Sequence, residues 1–182
     1  HSPECELVLE CLSTFFQMTE QKIDLCYLRR QYMHPILLAL HNIVRWIVLI
    51  LGIIAFVRAL IGWFGKRDWV ETDRKVGSFF TIAIDIQLLL GLALFLFFSP
   101  ITRAAFQDFG AVMKIDDLRF FTIEHTFFMI LAIVFAHVGN AMTRKDIADD
   151  SKFKRAALFY GLAIILIILG IPWVRPLLPG IG

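Results

Sequence analysis

Residues 116–144 read DDLRFFTIEHTFFMILAIVFAHVGNAMTR, a run with the length of a membrane-crossing helix but with Glu124, His125 and His137 inside it. Phe, Ile, Leu and Val suit hydrocarbon. A carboxylate and two imidazoles do not, and each costs several kcal/mol there unless a partner satisfies it. What these groups bind decides how the rest of the chain is read.

Three further apolar runs match this one. About 20 helical residues cross a hydrocarbon core, and the four runs lie at roughly 36–62, 76–98, 118–142 and 156–177. The whole chain has 182 residues, 58% of them apolar, 18 of them Phe, and a mean hydropathy of +0.72. A soluble domain of that length cannot hide so much apolar surface, so the fold class expected is all-α and integral to a membrane. Trp46, Trp63, Trp69 and Trp173 fall mostly near run ends, where interfacial aromatics collect. Pro100 closes the second run, and Pro172, Pro176 and Pro179 break up the end of the fourth. Short connections make a four-helix up-down bundle the simplest topology. A net charge of +2, with no basic run interleaved with aromatics, gives no sign of a nucleic-acid partner.

Residues 1–32 have a different composition. They hold Cys5, Cys11 and Cys26 and the acids Glu4, Glu6, Glu10, Glu20 and Asp24. The apolar segment LVLECLSTFFQM is too short to span and lacks the basic-then-apolar order of a signal peptide. Residues 1–32 are therefore expected to be an N-terminal extension, an amphipathic surface helix or a non-native appendage, with residues 33–182 forming the bundle. Three cysteines without a Cys-x-x-Cys spacing give little support for a redox-active thiol pair.

Lys and Arg in the short loops predict orientation. The first and third loops carry nine of them (Lys66, Arg67, Arg74, Lys75, Arg144, Lys145, Lys152, Lys154, Arg155). The second loop and the start of the third helix carry three, namely Arg103, Lys114 and Arg119. Loops one and three are expected in the cytoplasm and both termini outside. In the second loop, Phe106, Phe109, Val112 and Met113 recur at helical spacing, as in a short interfacial helix lying over the outer end of the bundle or a plain amphipathic connector.

His41 stands six residues past Pro35 in the first run, and His125 eight past Asp117 in the third. Both helices enter from the same face, so both imidazoles should lie roughly 9–12 Å below it. Two histidines level with each other on two helices can hydrogen-bond across the bundle, or they can ligate a flat macrocycle from opposite sides, as in bis-histidine haem b. His137 lies 12 residues beyond His125, about 18 Å deeper. The second and fourth runs contain no histidine to partner it, which limits the count to one haem per chain. His137 is expected to pair with a carboxylate, Asp85 being at comparable depth, or to touch a quinone head group. Arg45, one turn inward of His41, is long enough to reach Asp85, either as a structural ion pair or beside a proton relay. Glu124 projects about 100° from His125 and could orient a ligand histidine, or pair with Arg119 or Arg45. Arg58 is expected to snorkel. His34, seven residues before His41, is roughly 10 Å from it, too far to share one metal ion and close enough to meet a haem propionate.

The residues HNIVRW (41–46), GWFGKRDW (62–69) with Asp73, QLLLGL (87–92), LRFFTIEH (118–125) and IPW (171–173) resemble a family of small four-helix bacterial membrane proteins labelled cytochrome b-like. The likeness covers about 33–182 and implies haem b held by His41 and His125. Eukaryotic di-haem transmembrane cytochromes b carry two His pairs, and this chain lacks the second, so it is not expected to pass electrons across the membrane alone. The function expected is that of an electron carrier, with no catalytic constellation of a stand-alone enzyme. It would sit in the bacterial cytoplasmic membrane and work between quinol and a partner redox protein or inside a larger redox complex. The rivals are a cofactor-free accessory subunit of a respiratory or photosynthetic assembly, and a small transporter using Asp85 and His137 as a proton relay.

Overall fold

The computed structural model describes the backbone of residues 3–173 and the side chains of residues 32–173 other than Pro100. All regular elements among them are helical: α1 (Pro3–Phe64), α2 (Glu71–Ala93), α3 (Pro100–Gln107), α4 (Phe109–Met113), α5 (Asp116–Arg119), α6 (His125–Thr143) and α7 (Asp149–Gly170). Two π-helical turns, Leu94–Phe98 and Phe120–Glu124, extend α2 and join α5 to α6. Four segments are long and apolar enough to cross a membrane: Tyr32–Phe64, Glu71–Phe98, Asp116–Thr143 and Asp149–Gly170. The chain is a multi-pass membrane protein.

α1 packs on α2 and α7, and α6 packs on α7 and α2. The four long helices therefore close a ring in chain order, the expected up-down bundle, with α1 and α6 on one diagonal. The centre is built from small residues. Ala55, Ala59, Ala83, Ala132, Ala136, Ala156 and Ala163 are buried, and small residues let helix backbones approach closely where lipid supplies no hydrophobic drive between helices. Phe80, Phe153 and Tyr160 are the largest fully buried side chains. The outside is the apolar side, with Ile50, Leu89, Phe97, Phe127 and Ile165 all more than half exposed. In water such a surface would drive association; in a bilayer it is the solvated face.

Helix ends follow local chemistry. α1 stops at Gly65, with Lys66 in the left-handed region at φ 49°, which turns the chain out of the helix. Val70 before α2 has no side-chain acceptor, so Asp73 reaches back and takes the Val70 N–H at 3.2 Å. Ser99 caps α3 by accepting the Thr102 N–H, with Pro100 in the first turn. α7 begins at Asp149, seven residues before its expected start. Its first two turns are polar and so lay outside the apolar run, and Asp149 and Asp150 complement the helix dipole there. It ends at Gly170 because Ile171, preceding Pro172, is pushed to an extended conformation.

Three expectations need correction or delimitation. The first membrane-crossing segment, Tyr32–Phe64, matches the expected run, but the helix that carries it extends back to Pro3, continuous through Pro35. The amphipathic character expected of residues 1–32 rests on side chains that, Tyr32 excepted, lie outside the described residues, as do residues 174–177 of the expected fourth run. The second loop forms two short helices rather than one, broken at Asp108, whose carboxylate caps α4 through the Ala111 N–H at 2.9 Å. Its expected apolar stripe is divided: Val112 is buried, whereas Phe106 and Phe109 face outward.

Candidate functional site

The histidines meet across the diagonal of the bundle. The His41 and His125 ring centres are 6.3 Å apart, with the planes crossing at 65°. His125 follows directly on the π turn Phe120–Glu124. A π turn adds a residue to the helical register and so re-aims what comes next, which is why such turns collect at functional positions. Nothing in the apolar periodicity signals it.

All four long helices contribute to the surroundings. From α2, the Gln87 amide donates to the His41 carbonyl at 3.0 Å and lies 3.2 Å from His41 Nε2, its remaining N–H facing that nitrogen. From α7, the Gly170 carbonyl accepts from His125 Nδ1 at 2.7 Å. A backbone carbonyl on Nδ1 fixes the tautomer and leaves the Nε2 lone pair for another use, an arrangement common behind metal-ligating histidines. Gly91 lies against His41, and a Cβ there would stand 3.3 Å from the His41 Cε1. Phe120 and Phe121 lie with ring centres 6.4 Å from that of His125.

This end of the bundle also holds unsatisfied polar atoms. His41 Nδ1, Gln87 Oε1 and Thr122 Oγ1 are buried with no hydrogen bond among the described residues. A buried polar atom left without a partner costs on the order of 1–3 kcal/mol, so three of them beside a facing imidazole pair is the pattern expected of a site that accepts a polar or metal-bearing ligand. Among the described residues no group of three or more His, Cys, Asp or Glu gathers to form a protein-only metal cage. Two axial imidazoles need no third protein ligand when a macrocycle supplies the other four.

The other expected residues fall as follows. Arg45 is buried, its guanidinium carbon 5.7 Å from the Trp46 ring centre. The Arg45–Asp85 pair does not form; instead Asp85 Oδ1 bonds His137 Nε2 at 2.7 Å, the carboxylate pairing that was one of the options for His137. That pair is half exposed, at 46% and 47%, on the seam between α2 and α6. Glu124 takes the Arg119 Nε at 2.9 Å rather than a ligand histidine. Arg58 reaches the first turn of α2, where its Nη2 and Nε meet Asp73 Oδ1 at 2.7 and 3.0 Å. His34 is half-buried on the α1 turns before His41. Gly91 and the Gly170 carbonyl escaped the sequence, because a glycine or a backbone carbonyl gains meaning only from the side chain it faces.

No protein-family profile matches this chain, and no curated protein or solved structure does either.

Proposed function

We propose that the chain is a haem b-binding electron carrier of the bacterial cytoplasmic membrane, exchanging electrons near the outer face between a membrane-soluble quinol and a partner redox protein. The observation that carries this is the facing His41–His125 pair. A metal–imidazole bond of about 2 Å puts each ring centre ~3 Å from the metal, so two axial imidazoles have centres ~6 Å apart. The observed 6.3 Å fits that separation. His41 and His125 would hold the iron, the Gly170 carbonyl orienting His125 and His41 giving up the Gln87 N–H on its Nε2 to bind. Gly91 lets α2 lie close against His41, whose Cε1 a Cβ there would meet at 3.3 Å. His34, toward the helix entrance, would be placed to meet a propionate, and Arg45, buried one turn inward of His41, would set the local charge. When bound, haem supplies one-electron redox chemistry, its potential tuned by these neighbours.

The test is an absorption spectrum of the purified protein, oxidised and then reduced with dithionite, with haem quantified against chain. One haem b per chain is expected, abolished by His41→Ala or His125→Ala and kept by His137→Ala. A colourless protein expressed with ample haem overturns the proposal, and two haems per chain overturn the pairing.

One observation favours a second reading, an accessory subunit of a larger redox assembly. Asp85 and His137 are half exposed at membrane depth, where polar side chains ordinarily face a protein interior, and a neighbouring subunit's helix would cover them. A colourless protein that co-purifies with redox subunits is the outcome that selects it.

A further inference from the structure

At the other end of the bundle a cavity opens that has no part in the histidine site. It is an open recess of about 400 Å³ lined by Trp69, Arg74, Arg144, Lys145, Asp146 and Lys152, with Thr143 behind them. It lies where the spans end, between the first turn of α2 and the last of α6, the level at which lipid headgroups lie.

Two of its four cations are already committed. Arg74 is paired with Glu71, and Lys152 Nζ is 3.0 Å from Asp149 Oδ1. Arg144 and Lys145 form no ion pair among the described residues; Arg144 Nη2 instead donates to Ser78 Oγ at 3.3 Å. These two cations face one lining acid, Asp146. Trp69 supplies an aromatic wall, its ring 4.8 Å from that of the buried Phe153. Toward the bilayer centre the polar mouth gives way to an apolar strip that runs beside the half-exposed Asp85–His137 pair. Arg74, Ser78, Ile82 and Ile86 follow one another at four-residue intervals on one face of α2. Ile82 and Ile86 are 54% and 47% exposed, and Val134 across the seam on α6 is 49% exposed. A cationic recess at headgroup level, continued by an apolar strip, matches a molecule with a phosphate at one end and acyl chains at the other.

We propose that this cavity binds the phosphate of an anionic phospholipid, with the acyl chains lying along the α2–α6 face. Free phosphate shares the headgroup chemistry but makes no use of the strip.

The experiment titrates the purified chain in detergent with phosphatidylglycerol, phosphatidylcholine or inorganic phosphate, following binding by native mass spectrometry and tryptophan fluorescence. Phosphatidylglycerol is expected to bind about tenfold more tightly than phosphatidylcholine. Each cation removed should lower that preference about fivefold, so R144Q with K145Q together should erase it, whereas R144K retains it. K75Q, on the same helix and outside the cavity, should leave it unchanged, and single R144Q serves if the double variant does not fold. Equal affinity for the two lipids overturns the proposal, as does a K75Q loss equal to that of R144Q. Displacement of phosphatidylglycerol by millimolar phosphate assigns the cavity to a soluble anion instead. None of these readouts involves haem.

Discussion

His41 and His137 share a side chain and differ in surroundings. His41 is packed in the bundle, with one nitrogen facing Gln87 and the other buried without a hydrogen bond among the described residues. His137 is half exposed and already bound to Asp85. Only the first is positioned to exchange its present contacts for a ligand. Counting residues along two helices was enough to bring His41 and His125 to one depth, and to bring His137 level with Asp85, because the rise per residue is fixed. Angular position was not countable. Arg45 and Asp85 were expected to meet and do not, since direction around a helix helps only once the neighbouring helix is placed. Gly91 tests the cleft at this scale. A Cβ there would already stand 3.3 Å from the His41 Cε1, and a branched side chain would press on the imidazole. Gly91→Leu is expected to lower haem per chain several-fold, read as pyridine haemochrome, while the helical circular dichroism signal is unchanged. Haem content equal to that of the parent would mean that the macrocycle does not lie on the Gly91 side of His41.

At the scale of the element, what the sequence concealed was where polar chemistry outranks apolar periodicity. α7 begins two turns before its hydrophobic run, and α6 is entered through a π turn that no pattern of Phe and Ile announces. The corner between α1 and α2 is a third case. The loop charges were legible as orientation signals, but the partner of Arg58 was not, and Arg58 is the anchor of that corner. Asp73 is 2% exposed and does three things: Oδ1 takes two N–H donors from Arg58, Arg67 Nη2 lies 3.5 Å away, and Oδ2 takes the Val70 N–H that opens α2. Removing one member of a buried pair strands the other, a change that costs about 3–5 kcal/mol; with Arg58 a third exposed, the lower end applies. Asp73→Ala is therefore expected to destabilise the protein by about 3 kcal/mol, read from denaturant unfolding in detergent. Arg74→Ala breaks only an exposed pair with Glu71 and should cost under about 1 kcal/mol. Equal losses from the two variants would show that the corner carries no special share of the stability.

For the whole molecule, four apolar runs joined by short connections leave few topologies, and the ring α1–α2–α6–α7 is the simplest of them. Which faces meet was not legible, because Phe, Ile and Leu occur all round these helices and the core is marked instead by alanine and glycine. The ring makes a firm demand on sidedness. The turns at 65–70 and 144–148 leave the bundle at one end, and the 99–115 segment with the histidine pair is at the other. With nine basic residues in the first and third loops against three around the second, the first end is expected in the cytoplasm. Single cysteines at Asp68, Asp146 and Gly110, in a background where Cys5, Cys11 and Cys26 are serine, test this with a membrane-impermeant maleimide. Gly110→Cys should label in intact spheroplasts, and Asp68→Cys and Asp146→Cys only in inverted vesicles. If the latter two label from opposite sides, the four-span ring is wrong. If both label from outside, the ring stands but is inverted, and the His41–His125 pair lies in the cytoplasmic half of the membrane, where an exchange of electrons with an outer-face partner would be out of reach.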